Sequence, residues 1–445
     1  MRKFSFLTIA FVSLFFFSCQ KESNESSTQE EIISGANSGH GHLKQTKTFS
    51  SDVVISWLNM QLVMLKTPVP GQTSDRSQAY CGIALYESVV NGMPAYQSLY
   101  GQLKDFPAMP STEPGKAYHW SACANAALAE MNRRLFPNTA DANKNSMTLL
   151  ENSLNVSYAA QVDDATLQRS IAFGKEVAQR VAVWAAGDGF ANLNPTYVPP
   201  VGPGLWVPTA ATAAVNPYAY QRRLMVPGVA NGTELTPLPP YSTEEGSAFY
   251  KMVYEVYDVS TKLTDDQKAM ADYFKDAPGY GPGGGFVSIL SQAFAITEPS
   301  LDMAALTYAK VGIAQHEATI ILFTNKYIFN VIRPVTYIRA VIKPGWSTYI
   351  PTPNHPEFPS GHATTNGAVL SMMSNSFGEN FPMTLHTYDY LNYPSRSYNT
   401  FTEMGLDMAN SRLYGGLHYR ETCEKSIAQG RKVTQNILST LQFSK

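Results

Sequence analysis

Three short segments between residues 326 and 418 combine cationic side chains with histidines, a hydroxyl group and glycines: Lys326–Pro334, Pro359–His362 and Ser411–His418. Lysine and arginine bind oxyanions, and the planar guanidinium group matches their oxygen atoms with two parallel hydrogen bonds. Imidazole can act as an acid, a base, a nucleophile or a metal ligand near neutral pH. If folding brings the three segments together, they could bind a tetrahedral oxyanion and carry out proton transfer or nucleophilic chemistry on it.

The first segment places Lys326 seven residues before Arg333. This spacing is nearly two turns of helix, which predicts both cations on one helical face, about 10 Å apart along the axis. The stretch around them is strongly apolar, so a solvated face explains the pair poorly. Pro334 predicts that the helix ends at Arg333, because the residue before a proline is biased towards extended backbone. Taken alone, such a pair is more often structural than catalytic.

The second segment, Pro359–His362, predicts the start of a helix that runs to Phe377. Ser360 is a suitable N-cap, and the free backbone N–H groups at such a start bind anions. Gly361 lets the backbone approach an anion closely, and His362 adds a titratable imidazole. A simple capped helix with an incidental histidine is the alternative.

The third segment places His418 six residues after Arg412. On one straight helix this spacing would put the two side chains about 240° apart. Gly415 and Gly416 lie between them, and a glycine pair can end one helix and redirect the chain before the next. We therefore expect Arg412 and His418 to converge on one point.

Charge is scarce in this chain, which makes cations in apolar segments conspicuous. Only 15% of the 445 residues are charged, and the formal net charge is −2. This balance gives no sign of a nucleic-acid partner. Lys326, Arg333 and Arg412 would be costly to bury without a counter-anion. The three segments together therefore predict a bound, multiply charged tetrahedral oxyanion.

The blocks Lys-x6-Arg-Pro, Pro-Ser-Gly-His and Ser-Arg-x5-His, in this order, resemble the signature of the vanadium haloperoxidase and type 2 phosphatidic acid phosphatase superfamily. All three blocks match without a departure over Lys326–His418, about a fifth of the chain. The resemblance implies a haloperoxidase/acid-phosphatase-like fold that binds vanadate or phosphate. It implies that His418 is the axial partner of the anion and His362 the acid–base group. The other matched residues would bind the equatorial oxygen atoms: Lys326, Arg333, Ser360, Gly361 and Arg412.

Two activities share such a site. In a haloperoxidase His418 would be the vanadium ligand, and the enzyme would oxidise a halide with hydrogen peroxide to hypohalous acid. In an acid or lipid phosphatase His418 would be the nucleophile and would form a phosphohistidine. The lack of predicted membrane spans in the body and the long helical N-terminal half favour the haloperoxidase. A non-catalytic oxyanion-binding lipoprotein is a third alternative, which the two intact histidines argue against.

Three further residues are predicted near the site. His355 lies where the resemblance places a second histidine in bromoperoxidases and a phenylalanine in chloroperoxidases, which favours iodide or bromide over chloride. Phe323 lies where some relatives have tryptophan, which predicts a different halide pocket. Asp276 is a candidate carboxylate for orienting an arginine. A loop histidine and a solvated helix-end aspartate are the alternatives for His355 and Asp276.

Helical periodicity dominates the rest of the chain and predicts an all-α fold of two packed helical bundles. We expect an N-terminal helical region over 50–240 and a C-terminal catalytic domain over 241–445. Residues 191–241 are rich in proline, glycine and tyrosine, and a loop of this length usually has a function or wraps the surface. Trp206 in this loop could line the entrance of the site or pack on the surface.

The first 19 residues resemble a bacterial lipoprotein signal peptide. Arg2 and Lys3 precede an apolar run, Phe4–Phe17, which is too short to span a bilayer, and Cys19 follows in a lipobox-like context. Residues 20–49 are polar, as in a flexible tether. We expect export and lipid anchoring at the bacterial cell envelope, on a periplasmic or cell-surface face, with membrane contact only through the lipid.

The remaining cysteines and one histidine motif predict no separate chemistry. Cys81, Cys123 and Cys423 allow at most one disulfide and have no zinc-like spacing. His316-Glu317 lacks the second histidine of a zinc-protease motif. We expect His316 to be a helix histidine with a hydrogen-bond partner.

Overall fold

The computed structural model describes residues 43–67, 69 and 72–445. The predicted signal peptide, Cys19 and most of the tether lie outside the described residues and stay predictions. Leu43–Lys445 forms one compact unit, which begins before the predicted end of the tether at residue 49. Within it, the indole N–H of Trp120 donates to the carbonyl oxygen of Lys44 at 2.8 Å.

The fold is dominated by α-helices, which confirms the prediction from apolar periodicity. The helices are α1 (Asp52–Leu65), α2 (Ser74–Val89), α3 (Trp120–Leu135), α4 (Asp141–Ala159), α5 (Asp164–Ala186), α6 (Ala248–Ser260), α7 (Asp265–Tyr273), α8 (Gly284–Thr297), α9 (Leu301–Phe329), α10 (Pro334–Val341), α11 (Gly361–Phe377), α12 (Phe401–Tyr414) and α13 (Arg420–Thr440). In the described part of the chain the sheet structure is one antiparallel pair of strands, β1 (Asn380–Leu385) and β2 (Arg396–Thr400).

The long helix α9 lies at the centre of the fold. Its apolar side chains surround the whole helix instead of one stripe, so it is buried on most of its surface. It packs against both α2 and α11. Gly312 allows the close contact with α2, because a Cβ at this position would lie 2.4 Å from the carbonyl oxygen of Gln78. This packing fixes the C-terminal end of α9, which carries Lys326, relative to α11.

Two sets of helices meet at α9. Helices α1 to α5 pack against one another, and so do α11 to α13. Gly430 in α13 lies so close to α11 that a Cβ there would lie 2.0 Å from the carbonyl oxygen of Thr364. The backbone N–H of Ser360 donates to the hydroxyl oxygen of Ser426 in α13 at 2.8 Å. The start of α11 is thereby held beside α13 and the segment that contains His418.

The long loop between α5 and α6 crosses the connection between α9 and α10. Its Trp206 donates its backbone N–H to the carbonyl oxygen of Asn330 at 2.8 Å. The indole of Trp206 is buried and meets the ring of Tyr327 edge-on. Further along the loop, the carbonyl oxygen of Val215 accepts a hydrogen bond from the Tyr327 hydroxyl at 2.6 Å. Trp206 is therefore an anchor of the loop.

The prediction of a hydrogen-bond partner for His316 is wrong. Both ring nitrogens are buried and without a hydrogen-bond partner among the residues the structure describes. The nearest carboxylate oxygen, Oδ2 of Asp75, lies 3.8 Å from Nδ1. The imidazole packs edge-on against Tyr80, and burial lowers its pKa, so the neutral ring behaves as a core side chain.

The three cysteines of the described residues, Cys81, Cys123 and Cys423, are buried and unbridged. Over the same part of the chain, no helix combines the length and the apolar composition that a bilayer span requires.

Candidate active site

Lys326 and Arg333 come from two consecutive helices. Helix α9 ends at Phe329, because Asn330 takes a left-handed backbone conformation (φ 50°). Arg333 is the extended N-cap of α10, and Pro334 is the first helical residue. The prediction that both cations share one helical face is therefore wrong. The turn at Asn330 brings them together instead, and Pro334 marks the start of the second helix instead of the end of the first.

The Lys326 ammonium group is buried inside the loop that leads to α11. It donates hydrogen bonds to the carbonyl oxygen atoms of Pro356 (3.0 Å), Glu357 (3.1 Å) and Pro359. Burial, and then the neighbouring Arg333, hold the pKa of Lys326 well below its ordinary value. One cation thus fixes the backbone immediately before Ser360.

The Arg333 guanidinium group is also buried and joins two loops. It donates to the carbonyl oxygen atoms of His355 (2.8 Å) and Leu417 (3.0 Å). Its Nη2 lies 2.9 Å from Nδ1 of His355, and its Nη1 lies 3.4 Å from Nε2 of His418. Burial lowers the pKa of Arg333 to about 10, so the group stays charged at neutral pH.

Helix α11 starts as its sequence predicts. The hydroxyl oxygen of the N-cap Ser360 accepts a hydrogen bond from the backbone N–H of Ala363 at 3.4 Å. The first N–H groups of a helix have no partner within it, and Gly361 and His362 are the residues that carry them here. Both residues line the cavity next to this helix end. Backbone donors and an imidazole are therefore presented at one point.

Arg412 and His418 flank the break between α12 and α13. Helix α12 ends at Tyr414, Gly416 has a positive φ of 78°, and α13 begins at Arg420. The glycine pair therefore separates two helices, as predicted, and Arg412 and His418 line the same cavity. Arg412 donates from Nη1 to the carbonyl oxygen of Phe274 at 2.9 Å. Its buried Nε has no hydrogen-bond partner among the described residues.

Glu357, which the sequence analysis did not identify, contacts the Nδ1 side of the His418 imidazole. Its Oε1 lies 2.9 Å from Nδ1 of His418 and accepts the backbone N–H of Tyr419 at 3.1 Å. Its Oε2 accepts the hydroxyl of Thr422 at 2.9 Å. The Tyr419 N–H and the Thr422 hydroxyl donate to this carboxyl group and favour its ionised form, and an ionised Glu357 favours the His418 tautomer with its proton on Nδ1. The available signal was a carboxylate in an apolar, proline-rich loop three residues before Ser360.

The neighbouring cations lower the pKa values of both Glu357 and His418, whereas burial raises the first and lowers the second. Burial raises the pKa of Glu357 to about 7, while Arg333 and Lys326 act to lower it. Burial and the cations Arg333, Lys326 and Arg412 hold the pKa of His418 well below its ordinary value. His418 is therefore neutral near pH 7, and its Nε2 faces the Nη1 group of Arg333 at 3.4 Å.

The carboxylate of Asp276 contacts the imidazole of His362. Its Oδ2 lies 2.8 Å from Nε2 of His362, so the expectation that Asp276 orients an arginine is wrong for its closest contact. Its charge does act to raise the pKa of Arg412, which burial lowers. Asp276 has a left-handed backbone conformation (φ 68°) three residues after the end of α7, and its side chain is 14% exposed, so the alternative of a solvated helix-end aspartate is wrong.

His355 and Phe323 lie together in the lining of the cavity. Their rings meet edge-on with centroids 5.5 Å apart. Burial, followed by the charges of Lys326 and Arg333, holds the pKa of His355 well below its ordinary value. His355 does lie in a loop, as its alternative interpretation has it, and it is buried there against Arg333.

The charge balance of the site fits a bound oxyanion. Lys326, Arg333 and Arg412 are buried cations, and the two carboxylates beside them, Glu357 and Asp276, contact imidazoles. The Nε–H of Arg412 needs an acceptor, and burying three positive charges without anions is costly. A tetrahedral oxyanion supplies both the acceptor and the charge. Among the described residues, no group of three or more His, Cys, Asp or Glu side chains could hold a metal cation.

Comparisons with known proteins point to one group. The family model described as the VCPO second helical-bundle domain matches residues 306–444. A bacterial vanadium-dependent iodoperoxidase has a similar structure, with a TM-score of 0.80 and 28% identity, over 89% of this chain and 98% of that one.

In its fold and in its second helical bundle, the chain is similar to vanadium haloperoxidases. Two structures of bacterial vanadium-dependent chloroperoxidase share its fold. The holo form has a TM-score of 0.66 at 16% identity, over 90% of this chain and 98% of that one. The apo form has a TM-score of 0.63 at 18% identity, over 84% and 95% respectively. No curated protein sequence matches the chain.

The matched family model covers all three segments that the sequence singles out, since it begins in α9 and ends after α13. Asp276 precedes it in the chain and reaches the site through the fold. The anion site formed by Lys326, Arg333, Ser360, Gly361, Arg412 and His418 therefore lies in one helical bundle. The carboxylate of Asp276 is added from the segment after α7.

Proposed function

We propose that this protein is a vanadate-dependent haloperoxidase, which oxidises a halide with hydrogen peroxide to hypohalous acid. The observation that carries the proposal is a buried site in which three basic side chains, Lys326, Arg333 and Arg412, lie around His418. The imidazole of His418 is neutral and contacts the carboxyl group of Glu357. The likeness of the protein to a bacterial vanadium-dependent iodoperoxidase over 89% of the chain supports the same activity.

The residues divide into an anion cradle and a proton-transfer group. By the resemblance, Lys326, Arg333 and Arg412, with the N-terminus of α11 at Ser360 and Gly361, would hold the oxygen atoms of the anion. The ammonium group of Lys326 would exchange one of its three carbonyl acceptors for an anion oxygen. His418 would be the vanadium ligand through Nε2, because Nδ1 is engaged by Glu357. Bound vanadate would supply a Lewis acid for hydrogen peroxide.

His362 would move the proton that peroxide must lose. It lines the cavity beside the start of α11, and Asp276 contacts its Nε2. Burial and Arg412 lower its pKa, and Asp276 acts to raise it. The imidazole is therefore mostly neutral at pH 7 and able to accept a proton as a general base.

We propose iodide or bromide as the halide, in preference to chloride. The support comes from His355, which borders the cavity with its ring against Phe323. An imidazole next to the cavity can donate a hydrogen bond to a halide or to a leaving hydroxide, which a phenylalanine cannot.

The decisive measurement is halide oxidation by purified protein reconstituted with orthovanadate. Iodide, bromide and chloride would each be offered with hydrogen peroxide, beside a phosphate-loaded sample and the variant His418→Ala. The matched control is His386→Ala, because His386 is exposed and its carboxylate partner is Asp389. We expect vanadate-dependent oxidation that His418→Ala abolishes and His386→Ala leaves within about twofold.

Two other outcomes would replace the proposal. Release of phosphate from a monoester, without halide oxidation, would assign the same residues to a phosphatase that acts through a phosphohistidine at His418. Anion binding that survives replacement of both His362 and His418, with no turnover of either kind, would indicate a non-catalytic oxyanion-binding protein.

We also propose that the protein is exported and anchored through a lipid on Cys19. The support is the sequence alone: the basic start, the apolar run and the cysteine that follows it. Labelling with a fatty-acid analogue should mark the parent protein and leave Cys19→Ser unmarked. Equal labelling of both proteins would contradict the proposal.

A further inference from the structure

Asn354, the residue before His355, links two loops at the active site. Its side-chain oxygen Oδ1 accepts the backbone N–H of Thr209 at 3.0 Å, and its Nδ2 donates to the carbonyl oxygen of Thr212 at 2.6 Å. Its backbone carbonyl oxygen accepts the N–H of Val215 at 3.1 Å. Because an N–H only donates and a carbonyl only accepts, these contacts fix the orientation of the amide. Asn354 is 6% exposed, so its amide bonds to the protein instead of to solvent.

The residues that Asn354 holds, 209–216, contain no helix or strand and are called the wall segment here. Two other side chains hold the same segment. The Tyr327 hydroxyl donates to the carbonyl oxygen of Val215 at 2.6 Å, and Nη2 of Arg222 donates to Oδ1 of Asn216 at 2.8 Å. The position of the wall segment therefore depends on a few side-chain hydrogen bonds instead of a backbone ladder.

The wall segment borders the active-site cavity, which has a volume of about 430 Å³. Val215 and Asn216 line this cavity, and so do Pro353 and His355, the two neighbours of Asn354 in the chain. One asparagine therefore joins two parts of the same cavity wall. A shift of the wall segment would change how water reaches the cavity beside His355.

His355 presents a hydrogen-bond donor at this wall. The guanidinium group of Arg333 can only donate, so Nδ1 of His355, 2.9 Å from Nη2, is an acceptor. The carbonyl oxygen of Pro356 lies farther from Nδ1, at 3.2 Å. Burial, and then the charges of Lys326 and Arg333, hold the pKa of His355 well below its ordinary value, so the neutral ring carries its one proton on Nε2. His355 can therefore donate from Nε2 to an anion in the cavity.

We propose that Asn354 is a positioning residue for halide selection, because it holds the wall segment beside His355 and keeps water away from the His355 N–H. The inference rests on the proposed haloperoxidase function. A halide must lose part of its hydration to reach a wall that excludes water. This loss costs less for iodide than for bromide, since the Born cost of taking an ion out of water falls as its radius grows. A held wall segment therefore favours iodide over bromide, and a loosened one weakens this preference.

The anchoring role can be measured without vanadate or halide, by hydrogen exchange and mass spectrometry. Asn354→Ala removes the acceptor of the Thr209 N–H, and exchange in the wall segment should become at least about tenfold faster. Tyr327→Phe removes a different anchor of the same segment and should give a smaller change in the same direction. This second variant keeps the test open if Asn354→Ala does not fold, which circular dichroism and melting would show.

The matched control is Asn436→Ala. The Asn436 amide likewise donates to two loop carbonyl oxygen atoms, those of Val229 (2.8 Å) and Asn231 (2.7 Å), and none of these residues lines the cavity. Exchange in the wall segment should stay within about twofold of the parent protein in this variant.

Halide kinetics test the selection itself. In vanadate-loaded Asn354→Ala, the KM for iodide should rise at least about fivefold, while kcat and the vanadate Kd stay within about threefold. The ratio of kcat/KM for iodide to kcat/KM for bromide should fall at least about threefold. Asn436→Ala should leave all of these values within about twofold. A merely structural defect would lower kcat equally for both halides and would not change the ratio.

The two measurements separate this inference from the proposed function. Unchanged exchange in the wall segment of Asn354→Ala and Tyr327→Phe would show that these side chains do not hold it. A loosened wall segment with an unchanged iodide-to-bromide ratio would show that it does not select the halide. Either result overturns the inference and leaves the proposed function intact. A parent protein that oxidises no halide would refute the proposed function, and halide selection with it, whereas exchange would still decide whether Asn354 anchors the wall segment.

Discussion

Two imidazole–carboxylate pairs in the active site have similar contact distances and different surroundings. His418 lies 2.9 Å from Glu357, with side chains 2% and 0% exposed. His362 lies 2.8 Å from Asp276, with side chains 22% and 14% exposed. Glu357 also accepts hydrogen bonds from Tyr419 and Thr422. The first pair is closed off from the cavity on its carboxylate side, whereas the second borders the cavity.

The difference separates a positioning role from a proton-transfer role. A buried carboxylate that is held by two other donors fixes the tautomer and the ring orientation of its histidine, and it makes the opposite nitrogen a better ligand. A pair at a cavity wall can exchange its proton with a substrate or with water. We therefore assign Glu357 as a positioning residue for His418 and His362 as the group that exchanges protons.

Among the variants that test the difference between the two pairs, the largest effect is expected from His362→Ala. Loss of a general acid–base group typically lowers kcat by about 10² to 10⁴-fold, while the anion cradle stays in place. Vanadate affinity, measured by titration of activity or by calorimetry, should change by less than about tenfold. A variant that loses vanadate binding in step with kcat would break the distinction between the pairs.

Glu357→Gln should produce the opposite pattern. Without the negative charge behind His418, vanadate affinity should fall by about 10- to 100-fold. At saturating vanadate, kcat should recover to within about tenfold of the parent value. Asp276→Asn is the matched control, because it also neutralises a carboxylate beside an imidazole and should leave the vanadate Kd within about threefold. Equal Kd changes in both variants would contradict the assignment.

Asp276→Asn should act on the pH profile. Burial lowers the pKa of His362 first, Arg412 lowers it further, and Asp276 acts to raise it. Removal of this carboxylate charge takes away a raising effect, so the pKa must fall further. The limb of the kcat profile that reports His362 should move to lower pH. The exposed pair His386 and Asp389 provides the control, and Asp389→Asn should leave the profile unchanged.

The smallest effect is a stabilisation of the fold by the anion itself. An oxyanion that binds only the folded protein adds about 2.7 kcal/mol at 100 times its Kd. Orthovanadate, and phosphate if it occupies the same cradle, should raise the Tm by a few degrees in differential scanning calorimetry. Glu357→Gln should need more vanadate for the same shift, whereas Asp276→Asn should not. The same rise in His418→Ala as in the parent protein would place the stabilising anion elsewhere.

The sequence predicted the helical class and the positions of the cavity-lining residues Gly361, His362, Arg412 and His418. It could do so because helical periodicity and capping are local, and because the three segments resemble a known signature. It failed for the relation between Lys326 and Arg333, since spacing alone does not show that Asn330 ends a helix between them. Glu357 was missed because its partner, His418, lies 61 residues away along the chain.

The sequence by itself determined which residue types are available: three cations, two histidines and a capped helix start within Lys326–His418. Only the tertiary structure decided that Glu357 contacts His418 and that Asp276 contacts His362. It also decided which side chains border the cavity of about 430 Å³. The physical reason is that burial, partner choice and pKa depend on contacts between distant segments. The close approach of α11 and α13 at Gly430 creates such contacts, and no local pattern encodes them.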